Sequence, residues 1–111
     1  MMNRYQILLE YVGTNYIGWQ SQKKGRSIQK TVQSILSKLL KQKIIIHGAG
    51  RTDSGVHAIE QSAHFDYKNK ILNISSLIKS LNFFLNKKEI SVKKIIKKHN
   101  FFHARHTARE R

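Results

Sequence analysis

Cysteine and proline are both absent from the 111 residues, and carboxylates are scarce, 6 against 21 lysines and arginines. Without cysteine there are no disulfides, no zinc knuckles and no thiol nucleophile, a set of exclusions that suits a reducing compartment. No apolar run approaches the roughly 18 residues that a membrane-spanning helix requires. Met1 to Tyr11 alternates polar and apolar residues and lacks the basic region and apolar block of a secretory leader, so the chain is expected to stay in the cytoplasm, away from membranes.

What is present is one domain's length of chain, 40% hydrophobic, with a formal net charge of +15. Such an excess points to a polyanionic partner, because clustered cations displace counterions from phosphates. A proteome-wide drift towards lysine, isoleucine and asparagine gives the same charge without any nucleic acid, and the chain has 15 Lys, 14 Ile and 7 Asn.

Periodicity divides the chain into six elements. Tyr5, Ile7, Leu9 and Tyr11 alternate as one face of a strand. A loop from Val12 to Arg26 follows, with Ser27 placed to cap a helix whose stripe is Ile28, Val32, Ile35, Leu36, Leu39 and Leu40. Ile44 to Ile46 reads as a short strand that stops at Gly48 and Gly50. His57 to Asp66 reads as a third strand, with Ile59, Ala63 and Phe65 on one face and Gln61 interrupting it. Asn73 is placed to cap a second helix with the stripe Ile74, Leu77, Ile78, Leu81, Phe84 and Leu85. Ile90 and Val92 open a fourth strand whose phase slips to Ile95 and Ile96, as a bulge would cause. The order β-α-β-β-α-β is that of a ferredoxin-like α+β fold, an antiparallel four-stranded sheet with two helices on one face. Leu8 and the Ile44 to Ile46 run place apolar residues on both faces, so the open face is expected to be buried against something else.

The segment Gly48-Ala-Gly-Arg-Thr-Asp-Ser-Gly-Val-His57 holds three of the 6 glycines and one of the two aspartates. A dinucleotide fingerprint fails, because Asp53 stands where the third glycine belongs and a strand follows instead of a helix. A nucleophile elbow at Ser54 fails on Thr52. A metal site from Asp53, His57, His64, His103 and His106 lacks paired carboxylates and cysteine, and polar surface histidines are the simpler reading. Two readings remain. Arg51 and Asp53 form an ion pair that rigidifies the turn, or Asp53 is a carboxylate kept ionised by Arg51 for nucleophilic or general-base chemistry, where glycine lets a ligand approach closely.

Gly48-Ala-Gly-Arg-Thr-Asp-Ser-Gly-Val-His-Ala58, with Ala63-His-Phe65, resembles the signature of the tRNA pseudouridine synthase A family. Tyr11-Val-Gly-Thr-Asn-Tyr-Ile-Gly-Trp-Gln20, Ser27-Ile-Gln29 and Phe102-His-Ala-Arg105 are similar to three further family segments in the same order. The resemblance implies isomerisation of uridine to pseudouridine at positions 38 to 40 in the anticodon stem-loop of tRNA, with no cofactor and no metal, by an enzyme that is a homodimer. On that resemblance Asp53 is the catalytic aspartate and Arg51 replaces the flipped base in the helix. Thr52, Gly55 and His57 would shape the pocket, and Lys23, Lys24, Arg26, His103 and Arg105 would meet the phosphate backbone.

Four positions depart from the family pattern: Val12 for Asp, Ser54 for Ala, Glu60 for Gly and Asn86 for Pro. Family members are longer and hold two such half-domains around the active cleft. Residues 1–111 are therefore expected to form an N-terminal half-domain, inactive or nearly so alone, with the second half-domain absent and the family's active-site tyrosine expected beyond Arg111. A non-catalytic RNA-binding module on the same fold is the competing reading. It requires aromatic side chains exposed on the central strands, for which Tyr5, Tyr11 and Phe65 are the candidates.

Overall fold

A computed structural model describes residues 2–12, 28–48 and 58–99. Its elements are β1 (Asn3–Val12), α1 (Ile28–Leu40), β2 (Ile46–Gly48), β3 (Ala58–Tyr67), α2 (Ile74–Leu85) and β4 (Ile90–Lys98), with a 3-10 turn at Asn86–Lys88 continuing α2. The strands form one antiparallel sheet in the order β2-β3-β1-β4, as the split arrangement requires.

One sheet face and the two helices enclose the core. Tyr5, Ile7, Leu9 and Tyr11 of β1 meet Ala63 and Phe65 of β3, Ile46 of β2, and Ile90, Val92 and Ile95 of β4. Ile28, Val32 and Leu36 close this layer from α1, and Leu77, Leu81 and Leu85 from α2, each spaced four residues apart along its helix. Burying each such side chain contributes about 1.5–3 kcal/mol.

The helix ends have local causes. Asn73 caps α2 by accepting the Ser76 N–H at its Oδ1, 2.9 Å away. At the end of α1, Lys41 takes a left-handed φ of 55° and the Gln42 N–H reaches back to the Ser37 carbonyl at 3.2 Å, a six-to-one closure formed without glycine. Ser27, expected as the cap of α1, lies outside the described residues.

Two expectations are corrected, and the bulge expected in β4 is borne out. The second strand runs over Ile46–Gly48, not Ile44 to Ile46. Ile44 instead exchanges hydrogen bonds with Ser37 Oγ, its N–H donating at 2.9 Å, so its backbone is occupied by α1. Phe84 is half exposed, because it falls at the outer margin of the α2 stripe centred on Leu81. In β4 the slip is a bulge: Leu9 faces Val92 and Leu8 faces Lys94, leaving Lys93 as the extra residue. Ile95 then enters the core, and Ile96 emerges on the opposite face.

Candidate active site

The connection that carries Arg51, Thr52, Asp53, Gly55 and His57 leaves the sheet at Gly48 and returns at Ala58. Its departure point is held on both sides. On the inner side, Ile46, His47 and Gly48 pair with Phe65, His64 and Ala63. On the outer side, Gln33 Oε1 accepts the Ile46 N–H at 3.0 Å and Gln29 Nε2 donates to the Ile46 carbonyl at 2.8 Å. Gln29, Gln33 and Ser37 stand one turn apart on α1, a polar stripe that satisfies the edge strand as a neighbouring strand would.

Because Gly48 pairs with Ala63 while β3 begins at Ala58, residues 58–62 run past the end of β2 and, among the described residues, pair only with β1. The sheet therefore has a step at the point where the Asp53 connection departs. Val12 ends beside Ala58 at this same end, and there the connection holding Lys23, Lys24 and Arg26 leads to α1. β4 finishes at the opposite end, Lys98 facing Arg4, and the stretch with His103 and Arg105 follows it. The topology thus gathers the anchors of eight candidate residues at one end, and does not bring the anchor of His103 and Arg105 there. All ten residues lie outside the described ones.

The sheet face away from the helices carries a polar network. One row crosses all four strands: His47, His64, Gln6 and Ile96. The His47 and His64 rings stack at 5.0 Å, and His64 is buried. Gln6 Nε2 donates to Ser62 Oγ at 2.9 Å. In the adjacent row, Arg4 Nε and Nη2 donate to Asp66 Oδ1 and Oδ2 at 2.8 and 2.9 Å. These hydrogen bonds hold the Asp66 carboxyl below the usual carboxylate range; partial burial opposes them, while the charges of Arg4, His64 and His47 reinforce them. Lys93 Nζ meets Glu10 Oε1 at 3.5 Å, a largely exposed pair.

The open face, expected to be buried against something else, is largely polar. Among the described residues, Leu8 and Ile96 are its apolar members, surrounded by charged and amide groups. The aromatic residues are placed the other way. Tyr5, Tyr11 and Phe65 are all buried on the helix-covered face, Tyr5 stacked on Phe65 at 5.6 Å, and so none is available to stack on a base. The RNA-binding-module reading loses the side chains it requires.

Periodicity did not reveal the Arg4–Asp66 fork, the His47–His64 stack or the glutamines on the β2 edge. Each depends on strand register or on a helix face meeting a strand, and the β1 alternation of Arg4, Gln6 and Leu8 was the available signal for the first. Among the described residues no three His, Asp or Glu side chains gather as a metal site, and no helix is long and apolar enough to cross a membrane.

Comparison with known proteins gives the chain its relatives. A family model described as tRNA pseudouridine synthase matches residues 7–106. The chain is 60% identical to a tRNA pseudouridine synthase A of Pelagibacter ubique (strain HTCC1062) over 110 residues, 99% of this chain and 45% of that protein. It is 53% identical over 81 residues to that of Azobacteroides pseudotrichonymphae, covering 73% of this chain and 32% of the relative. With that of Neorickettsia sennetsu it shares 45% over 82 residues, 74% of this chain and 34% of the relative. The chain spans less than half the length of these curated relatives. With the ferredoxin-like order of elements and a match across nearly the whole sequence, the chain belongs to the tRNA pseudouridine synthase family.

Proposed function

We propose that the chain is the N-terminal half-domain of a tRNA pseudouridine synthase that acts in the cytoplasm on uridines 38 to 40 of the anticodon arm. The observation that carries the reading is the family match over residues 7–106, which includes Arg51 and Asp53. The reaction breaks the N1–C1′ glycosidic bond, turns the freed uracil and joins its C5 to C1′ of the ribose; C5 then loses its proton and N1 ends protonated, so atoms balance and no external reagent is consumed. Asp53 serves this chemistry by attacking the sugar or base, or by taking the C2′ proton. Arg51 keeps Asp53 ionised and fills the space of the flipped base, offsetting part of the unstacking cost of a few kcal/mol. Thr52, Gly55 and His57 shape the pocket. Lys23, Lys24, Arg26, His103 and Arg105 meet phosphates, which fixes register without reading sequence. The second half-domain and a second copy complete the enzyme.

The test is formation of pseudouridine in unmodified tRNA by this chain and by a form extended past Arg111. Activity of the extended form that disappears on Asp53→Asn and Asp53→Ala is expected. Retained activity in Asp53→Asn removes the catalytic assignment.

A further inference from the structure

Phe83 and Phe84, near the end of α2, are 67% and 47% exposed, and their rings meet edge to face at 5.1 Å. Two adjacent aromatic rings left in water are unusual, since each has some of the largest apolar area a side chain can bury. Lysines outnumber carboxylates around them, Glu89 being the first acid beyond the 3-10 turn. Lys79 stands one helical turn before Phe83, Lys87 and Lys88 occupy the 3-10 turn directly after the helix, and all three are exposed. From residue 68 to residue 88 there are five lysines and no carboxylate. Even the first turn of α2 has no acidic residue, although a helix N-terminus favours one.

We propose that the end of α2 is a binding surface for single-stranded RNA, with Phe83 and Phe84 stacking on unpaired bases and Lys79, Lys87 and Lys88 holding the flanking phosphates. Aromatic rings set among cations are the combination used for unpaired strands, where every base offers a face to a ring and every linkage a charge. A protein partner fits less well, because the centres of protein interfaces are depleted in lysine and burying three ammonium groups is costly. The position also favours RNA. β4 begins directly after the 3-10 turn, and Ile90 faces Tyr11 at the end of the sheet where the Asp53 connection is anchored. The choice of RNA rests on the proposed function, and the surface lies on the helical layer, away from the open sheet face.

The test is binding of fluorescent decauridylate to the 111-residue chain at fixed salt. Phe83→Ala/Phe84→Ala is expected to weaken binding at least about fivefold, the effect of losing one stacked base, while leaving affinity for inorganic polyphosphate unchanged. Phe83→Tyr/Phe84→Tyr is expected to retain decauridylate binding, and Phe83→Leu/Phe84→Leu, which keeps the apolar bulk, to lose it. Matched thermal unfolding verifies that each variant is folded, and the Tyr and Leu pairs decide the matter if the Ala pair unfolds. Unchanged decauridylate affinity in the Leu pair overturns the proposal, as do equal losses for both probes. Loss of binding to phosphatidylglycerol vesicles without loss of decauridylate binding assigns the surface to membranes instead. A dimer in light scattering that the Leu pair converts to monomer assigns it to a second copy. The readout involves no turnover, so a failure to form pseudouridine does not alter it.

Discussion

Asn82 of α2 engages both backbone polar groups of Val92 of β4: its Oδ1 accepts the Val92 N–H at 2.7 Å, and its Nδ2 donates to the Val92 carbonyl at 3.1 Å. β4 is an outer strand, so a side-chain amide stands where a further strand would pair. Gln29 and Gln33 do the same for Ile46 on the other outer strand. Asn82→Ala leaves two partly buried backbone groups without this partner, and we expect a loss of about 1–3 kcal/mol in urea unfolding. A loss below about 0.5 kcal/mol shows that water replaces the amide without penalty.

The glutamines on the opposite edge connect stability to the site. Gln33→Ala removes the acceptor for the Ile46 N–H, two residues before the Asp53 connection departs. Hydrogen exchange of the Ile46 amide is expected to quicken by about tenfold, while that of Phe65, bonded within the sheet interior, changes little. Equal acceleration at both amides indicates global destabilisation instead.

Asp66 has its carboxyl lowered by Arg4, so its contribution is present above the unfolded aspartate pKa of about 3.9 and is lost as pH falls through the lower, folded value. Both side chains are partly exposed, which limits the pair to about 0.5–1 kcal/mol. Thermal unfolding of Asp66→Asn is expected to lie below that of the parent at pH 7 and to converge with it below about pH 3. A constant gap across that range rules out the pair as its source.

Tyr5 offers a test that separates folding from RNA contact. Its ring is buried against Phe65, and its hydroxyl accepts the Ile71 N–H at 2.9 Å, 66 residues away in sequence. Tyr5→Phe is expected to cost about 1 kcal/mol of stability and to leave tRNA affinity unchanged. A fall in affinity without a fall in stability reverses this assignment.

Arg51→Ala in the extended form is expected to reduce turnover more than tRNA affinity, because filling the place of a flipped base matters after docking. Equal losses in the two measurements reduce Arg51 to an anchoring cation.

The fold was legible where one periodicity served one burial demand. The β1 alternation and the Leu77, Leu81, Leu85 spacing each correspond to a single buried face, and Asn73 caps its helix through a bond to its own first turn. The reading faltered where a partner from elsewhere decided the outcome. Ile44 looks like a strand residue, but the Ser37 hydroxyl takes its backbone. Ile95 and Ile96 look equivalent, yet the bulge sends them to opposite faces. The Asp53 segment stood out because glycine and a rare carboxylate coincide there, a signal of composition that needs no tertiary information. The Arg4–Asp66 fork gave no such signal, since only the pairing of β1 with β3 makes these residues neighbours.

The bulge at Lys93 has a consequence for how the chain tolerates changes in length. β4 contains one residue more than β1 requires, so deleting Lys93 leaves Val92 opposite Leu9 and Lys94 alone opposite Leu8. Both halves of the strand keep their inward residues. Removing a residue at Ser91 instead shifts Ile90 by one pleat and turns it out of the core. Within β4, a single-codon loss is thus absorbed at the Lys93–Lys94 pair, where the backbone already holds the slack.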